Sequence, residues 1–201
     1  MKALLAAALL LLTAGVAAQQ PAAPPPKGQM PALGRPTEST DEVPPLDFDA
    51  YFIGAWDFEW DVPDGPFGPG GSIVGTTVYR VVGDGRYEAE TRAEGPSGLY
   101  TVTERIEYRK AAKALVKQVT DSRGYRYTSR ATVGGDLGGI YYILYESEPF
   151  EVNGARVQVK ETLRLLSPYN YRVAITVAAG GGAFANYGNP WWRKQIKQIQ
   201  E

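Results

Sequence analysis

The stretch YFIGAWDFEWDV, residues 51–62, decides the fold that we predict for this chain. From Trp56 onward, large apolar and acidic side chains alternate without a break. The apolar set is Trp56, Phe58, Trp60 and Val62, and the acidic set is Asp57, Glu59 and Asp61. Strict alternation is typical of a β-strand with one dry face and one wet face. A dry face this bulky needs a deep partner surface, which predicts a closed barrel or a two-sheet sandwich.

Nine more segments with strand-like patterns follow, separated by short turns that are mostly rich in Gly, Pro, Asn or Ser. The predicted strands are Ser72–Val82, Arg86–Glu94, Leu99–Tyr108, Ala114–Asp121, Tyr125–Val133, Ile140–Ser147, Arg156–Leu166, Tyr171–Ala178 and Phe184–Lys194. Connections this short force neighbouring strands to be antiparallel. Barrel closure removes exposed sheet edges, whereas a sandwich needs long crossover connections that this pattern lacks. We therefore expect an all-β, antiparallel up-and-down barrel of about ten strands, with a filled sandwich as the alternative.

The N-terminal segment has the pattern of a secretory signal peptide over residues 1–18. Lys2 supplies the positive charge, residues 3–12 form the apolar core, and residues 16–18 supply small side chains at a cleavage site. The apolar run is shorter than the ~20 residues that a membrane-spanning helix needs. We therefore expect an exported protein, in the periplasm or outside the cell, with no stable membrane insertion.

Three further regions complete the predicted organisation. Residues 19–45 are rich in Pro and almost lack large apolar side chains, which predicts a disordered linker. Residues 46–195 form the predicted barrel, which begins with a short helical plug over Leu46–Ile53 that Asp47 caps. Residues 196–201 are mostly polar and predict a flexible tail.

The absence of two residue types excludes whole classes of site. The chain has no His and no Cys. This excludes His-ligated haem, zinc sites built on imidazole or thiolate, iron–sulfur clusters and every Ser-His or Cys-His nucleophile. The 21 basic and 22 acidic residues give a net charge of −1, so there is no electrostatic case for nucleic acid. We expect neither a metal nor a cofactor.

Two acidic residues interrupt predicted inward faces in the middle of their strands. Glu104 and Glu161 each lie between apolar neighbours two positions away on either side. A buried carboxylate is costly unless it is paired or protonated, so these residues indicate a polar anchor inside the cavity. Arg80 is the predicted partner for one of them. The alternatives are a position at the barrel rim or a bulge that turns the side chain outward.

Tyrosine is unusually frequent on the predicted inward faces. The residues concerned are Tyr87, Tyr125, Tyr127, Tyr141, Tyr145 and Tyr171. In a pocket, their rings would supply apolar contact and their hydroxyls would orient a ligand. The alternative is that aromatic residues occur there because they favour strands. Both interpretations stay open.

The run Gly54-Ala55-Trp56, which opens the first strand, resembles the Gly-x-Trp signature of the lipocalin and calycin barrels. The spacing of the later hairpins is similar to that of the ten-stranded lipocalin-like barrels, which include fatty-acid-binding proteins and nitrobindin. Residues 52–194 resemble most closely the uncharacterised secreted bacterial lipocalin-like domains. The resemblance implies a barrel that holds a small, mostly apolar molecule.

Two features of the family pattern concern single residues. Nitrobindin-like barrels hold haem through a His, and this chain has none, so the resemblance does not imply haem here. Lipocalins pair the Trp of the signature with an Arg on the last strand. Arg193 is the candidate for that place.

We therefore predict that the protein binds a small, mostly hydrophobic molecule in a barrel cavity. The candidate ligand-binding residues are Trp56, Phe58, Trp60, Tyr87, Glu104, Tyr127, Tyr145 and Glu161. Two other functions stay open. One is a barrel enzyme that applies Glu and Tyr acid–base chemistry to a lipid-like substrate. The other is a cell-envelope interaction protein with a filled core. No residue is assigned a catalytic role, and no protein partner is identified.

Overall fold

The computed structural model describes residues 43–137 and 139–196. The predicted signal peptide, almost all of the predicted linker and nearly all of the predicted tail lie outside the described residues. The helical elements are α1 (Phe48–Phe52) and a 3-10 turn (Lys110–Ala112). The strands are β1 (Gly54–Val62), β2 (Gly71–Gly83), β3 (Arg86–Gly95), β4 (Gly98–Arg109), β5 (Ala114–Asp121), β6 (Arg126–Gly135), β7 (Tyr141–Ser147), β8 (Phe150–Val152), β9 (Ala155–Ser167), β10 (Asn170–Ala179), β11 (Ala185–Asn186) and β12 (Trp191–Lys194).

Ten of these strands close into an antiparallel barrel. From β1 to β7, each strand pairs with the next one in the sequence. Strand β7 then pairs with β9, β9 with β10, β10 with β12, and β12 returns to β1. Two short strands lie outside this circuit, because β8 pairs with β9 and β11 pairs with β10 at their edges. The predicted barrel is confirmed, and the sandwich alternative is wrong.

The burial of β1 follows the alternation of its sequence. Trp56, Phe58 and Val62 are buried, and Trp60 is half-buried. The acidic side chains between them are exposed. The bulky face of the first strand therefore points into the barrel, as predicted, and the carboxylates face solvent.

The last part of the barrel differs from the prediction. The single strand expected over residues 184–194 is divided into β11 and β12. Between them lie Gly188, whose φ of 109° favours glycine, and Pro190, which has no N–H to donate to a strand ladder. The segment still follows β10, because Val173 donates a hydrogen bond to the Pro190 carbonyl at 3.1 Å and Ile175 donates one to the Gly188 carbonyl at 3.0 Å.

Helix α1 closes one end of the barrel, as the sequence predicts. The Asp47 carboxylate accepts a hydrogen bond from the Ala50 N–H at 3.1 Å and caps the helix. Phe48 and Phe52 are buried, and Phe48 stacks on Tyr87 of β3 with ring centroids 4.1 Å apart. Within the described part of the chain, no helix is both long and apolar enough to span a membrane.

Trp56 joins the helix to the barrel wall. Its indole Nε1 donates a hydrogen bond to the Phe52 carbonyl at 2.7 Å, which also satisfies a carbonyl at the end of α1. Its ring packs against Tyr171 of β10 with centroids 5.0 Å apart, and the side chain has no solvent exposure. One residue therefore fixes α1, β1 and β10 relative to one another.

Candidate functional site

The half of the barrel away from α1 encloses a cavity of about 190 Å³. Its wall is largely aromatic and includes Phe58, Trp60, Tyr100, Tyr125, Tyr127 and Trp192. Its charged floor consists of Glu104, Lys117 and Glu161. Tyr79 and Tyr171 line the cavity with one side of their rings. Their other side packs against Phe52 of α1, with ring centroids 5.4 Å apart in both pairs. The barrel is therefore filled at the helix end and hollow at the opposite end.

In the charged floor, Lys117 joins the two carboxylates. Its Nζ donates hydrogen bonds to Glu104 Oε1 at 2.9 Å and to Glu161 Oε2 at 2.6 Å. Lys117 is 6% exposed, and the side chains of Glu104 and Glu161 are 17% and 15% exposed. The three residues come from β5, β4 and β9, so barrel closure brings them together. Both glutamates thus point into the barrel, which excludes the outward-facing alternative.

The electrostatics of the charged floor keep Lys117 in its ammonium form. Burial would lower the pKa of this group, but the carboxylates of Glu104 and Glu161 outweigh burial and raise the pKa well above its ordinary value. The Nζ atom also lies 4.6 Å from the centre of the Tyr145 ring, at cation–π distance. The floor therefore has one ammonium group as the shared donor of two carboxyl groups.

Two hydroxyl pairs adjoin the charged floor. The hydroxyls of Tyr79 and Tyr171 lie 3.1 Å apart, and those of Thr77 and Thr91 lie 2.8 Å apart. Burial raises the pKa of both tyrosines, so they are neutral phenols. In the described ranges, no group of three or more acidic side chains is arranged to hold a metal ion. The two hydroxyl pairs add neutral hydrogen-bonding groups beside the charged floor.

A second ion pair and three aromatic side chains lie at the mouth of the cavity, which is the end opposite α1. The Asp121 carboxylate accepts hydrogen bonds from Arg123 Nε at 3.0 Å and from Arg123 Nη2 at 2.6 Å. The guanidinium lies 3.8 Å from the centre of the Tyr100 ring. Phe67, in the connection between β1 and β2, packs against Tyr125 with centroids 5.5 Å apart. All five side chains line the cavity at this end.

The cavity contains five of the eight candidate residues, namely Phe58, Trp60, Glu104, Tyr127 and Glu161. The other three do not line it. Trp56 packs on Tyr171, Tyr87 stacks on Phe48 beside α1, and Tyr145 lies against Lys117 outside the cavity wall. Alternation assigns a side chain to the inner face of a strand, but it does not indicate how far along the barrel axis the side chain lies.

The predicted cationic partner of the inward glutamates is wrong. Arg80 is exposed on the outer surface, where its Nη1 lies 3.6 Å from Glu90 Oε2. The partner is Lys117, which the sequence analysis missed. A signal was present, because Lys117 lies between Leu115 and Val119 on the inner face of β5. It interrupts an apolar stripe in the same way as the two glutamates do.

Arg193 does not occupy the place that the lipocalin resemblance implies. Its side chain is exposed, and its Nη2 lies 2.8 Å from Glu59 Oε1. Lys194 is paired in register with Trp56, and its Nζ lies 5.3 Å from the indole ring. The cation beside the signature Trp is therefore a lysine, whose pKa burial lowers.

Fold and cavity together define a lipocalin-like, ten-stranded barrel with a partly hollow interior. The chain is similar to the crystal structure of Rv2717c from M. tuberculosis, with a TM-score of 0.63 and 11% identity, covering 78% of this chain and 100% of that chain. It also matches a de novo designed fluorescence-activating β-barrel, with a TM-score of 0.32 and 17% identity over 75% of this chain and 99% of that chain. The first similarity supports the fold alone, and the second supports no conclusion. No protein-family model and no curated protein matches the chain.

Proposed function

We propose that this is an exported barrel protein that binds a small, mostly hydrophobic molecule in its cavity. The observation that carries the proposal is a hollow end in which aromatic walls converge on a charged floor. A concave, mainly apolar site with a few placed polar groups is typical of small-molecule binding. A purely structural core gains nothing from three charged side chains beside empty space, because buried charge is costly.

The volume of the cavity limits the size of the ligand. An apolar cavity of about 150 Å³ takes up benzene, whereas drug-sized ligands occupy about 300–1,000 Å³. A cavity of about 190 Å³ therefore fits a molecule with one ring or a short branched chain. A long-chain fatty acid would need the mouth to open, since its chain exceeds this volume.

The N-terminal sequence supports export. Residues 1–18 have the charge, apolar core and small side chains of a signal peptide. Residues 19–45 then act as a Pro-rich spacer before the barrel, and residues 196–201 form a short tail. In this organisation the barrel is released from the signal segment and works outside the cytoplasm.

Acid–base catalysis on a bound lipid-like substrate has less support than binding. Burial raises the pKa of Tyr127 and of Tyr145 above that of an ordinary phenol. Both hydroxyls therefore keep their protons at neutral pH. An effective general acid or base needs a pKa near the working pH, and these phenols are far from it.

A second candidate function is attachment to another component of the cell envelope. Trp191 of β12 is 38% exposed, and the guanidinium of Arg172 lies 4.5 Å from its ring centre. Aromatic residues and Arg are both enriched at protein interfaces. This surface lies outside the cavity, so the two candidate functions can be tested separately.

The first test is native mass spectrometry of the full-length protein expressed in a bacterial periplasm. We expect a discrete mass in addition to that of the chain, which extraction with organic solvent removes. The mass of the chain itself reports whether residues 1–18 have been cleaved. A chain of unaltered mass before and after extraction would show that no tightly held ligand is present.

Tryptophan fluorescence covers the case of a weak ligand. Trp60 and Trp192 line the cavity, so small aromatic and aliphatic compounds that enter it should change their emission. The matched control is Trp191→Phe, which replaces an indole outside the cavity with a phenyl ring and should leave this response unchanged. A clean mass together with no fluorescence response would contradict the binding proposal and favour the interaction protein.

A further inference from the structure

The charges that line the cavity do not balance. The charged lining residues are Glu104, Lys117, Asp121, Arg123 and Glu161. Asp121 and Arg123 form a closed pair, which leaves two carboxylates against one ammonium. The lining therefore has one more acidic side chain than basic side chains, beside aromatic walls. An excess carboxylate in a low-dielectric interior is costly unless it is protonated or joined by a charge of opposite sign.

Each carboxylate of the charged floor also has one unused oxygen. Lys117 Nζ donates its hydrogen bonds to Glu104 Oε1 and Glu161 Oε2. Glu104 Oε2 and Glu161 Oε1 accept no hydrogen bond from any residue that the structure describes. Both side chains keep a small exposed fraction, and both line the cavity. The floor thus offers two free anionic acceptors to an occupant.

A buried hydroxyl pair lies beside the charged floor. Tyr79 and Tyr171 are 8% and 2% exposed, and both line the cavity. Their hydroxyls bond to each other, so one O–H group is used as the donor. The other O–H group has no acceptor among the described residues. The pair therefore makes this part of the cavity wall polar without adding charge to it.

We propose that the cavity binds a small organic cation, an ammonium group carried on one aromatic ring or a short apolar chain. This inference rests on the proposed ligand-binding function. The ammonium donates to the free oxygens of Glu104 and Glu161 and neutralises the net charge of the cavity. Its apolar body lies against the aromatic wall, whose ring faces also attract cations. A fatty acid or another anion would add a second unpaired negative charge, so the cavity selects against it.

The test compares three ligands of nearly equal size and different charge. Phenethylamine, phenethyl alcohol and phenylacetate are titrated into the full-length protein in a calorimeter at neutral pH and low salt. We expect the amine to bind at least about tenfold more tightly than the alcohol, and phenylacetate to bind most weakly. Binding of the alcohol or of phenylacetate with equal or higher affinity would overturn the inference and leave the proposed function intact. If none of the three binds, the inference is overturned, and the mass-spectrometric and fluorescence tests decide the proposed function separately.

Variants then connect the selectivity to the charged floor. Glu161→Gln keeps the shape of the side chain and removes the net charge of the cavity. We expect the affinity for phenethylamine to fall about tenfold and the affinity for phenethyl alcohol to change by less than about twofold. Glu104→Gln is the second variant, and it makes the same test of the charged floor if Glu161→Gln does not fold. Their matched control is Glu107→Gln on the outer face of β4, which should leave both affinities unchanged.

The outcome that contradicts the assignment is also specific. If selectivity for the amine persists in both floor variants, and these remain folded by circular dichroism, then the floor does not recognise the cation. The comparison of the three ligands on the unmodified protein does not depend on any variant, so it decides the inference even if both glutamine variants misfold.

Discussion

Lys117 is the side chain on which both inward glutamates depend. Removing one partner of a buried ion pair is strongly destabilising, because the other charge is left uncompensated in the interior. Losing Lys117 leaves two such charges, whereas losing one glutamate leaves a closed pair. The three members of the charged floor are therefore not equivalent, although each takes part in the same cluster.

We expect Lys117→Met to lower the free energy of unfolding by about 3–5 kcal/mol, measured by urea denaturation. Glu161→Gln should cost less, because Lys117 keeps its bond to Glu104. The control is Lys160→Met in β9, whose side chain is 43% exposed and lies 3.4 Å from Glu146. Exposed ion pairs contribute about 0–1 kcal/mol, so the free energy of unfolding of this variant should stay close to that of the unmodified protein. Equal losses in the two lysine variants would contradict the structural importance of the floor.

At the scale of single strands, Gly75 of β2 makes room for a wall of the cavity. It pairs in register with Phe58 of β1. A Cβ atom at this position would lie 2.7 Å from Phe58 Cε1 and 2.5 Å from the Arg92 carbonyl oxygen. The carbonyl belongs to the neighbouring strand and cannot move without disturbing the ladder. Only a residue without a side chain fits there while Phe58 keeps its place.

We expect Gly75→Ala to destabilise the fold by about 1–3 kcal/mol, the usual cost of overpacking, measured by thermal unfolding. The matched control is Gly134→Ala in β6, where an added Cβ meets no atom within 4 Å. That change should be neutral or slightly stabilising, because alanine restricts the unfolded chain more than glycine does. Similar losses in both variants would show that strand glycines are sensitive here for a reason other than the contact with Phe58.

The individual elements also show what could be predicted from the sequence. Alternation was sufficient to predict the inner and outer faces of β1 and the inward direction of Glu104 and Glu161, because a period of two is a local property of the sequence. It could not provide the position along the barrel axis, which separates Tyr127 in the cavity from Tyr87 beside α1. It could not provide Lys117 as the partner either, since barrel closure brings the charged floor together from three strands.

At the scale of the whole molecule, the barrel interior is built largely from tyrosine that must stay neutral. The inner tyrosines whose pKa is raised, with burial as the main cause, include Tyr79, Tyr127, Tyr145 and Tyr171. The pKa of Lys117 is raised too, because the neighbouring carboxylates outweigh its burial. In the unfolded chain these groups titrate near their ordinary values, about 10 for Tyr and about 10.4 for Lys. A raised pKa in the folded state therefore contributes stability that is complete below these values and is lost as the pH rises above them.

We therefore expect the protein to be stable through neutral pH and to unfold cooperatively at a pH above about 10. The measurement is a titration that follows tyrosinate absorbance and near-ultraviolet circular dichroism together. The buried phenols should ionise only when the dichroism signal of the packed interior is lost, because burying a tyrosinate anion among the aromatic rings and carboxylates of the barrel is costly. The control is the same titration in denaturant, in which every phenol should ionise near pH 10. Ionisation of the buried phenols with the dichroism intact would mean that solvent enters the hollow end freely and that the mouth around Phe67 does not exclude it.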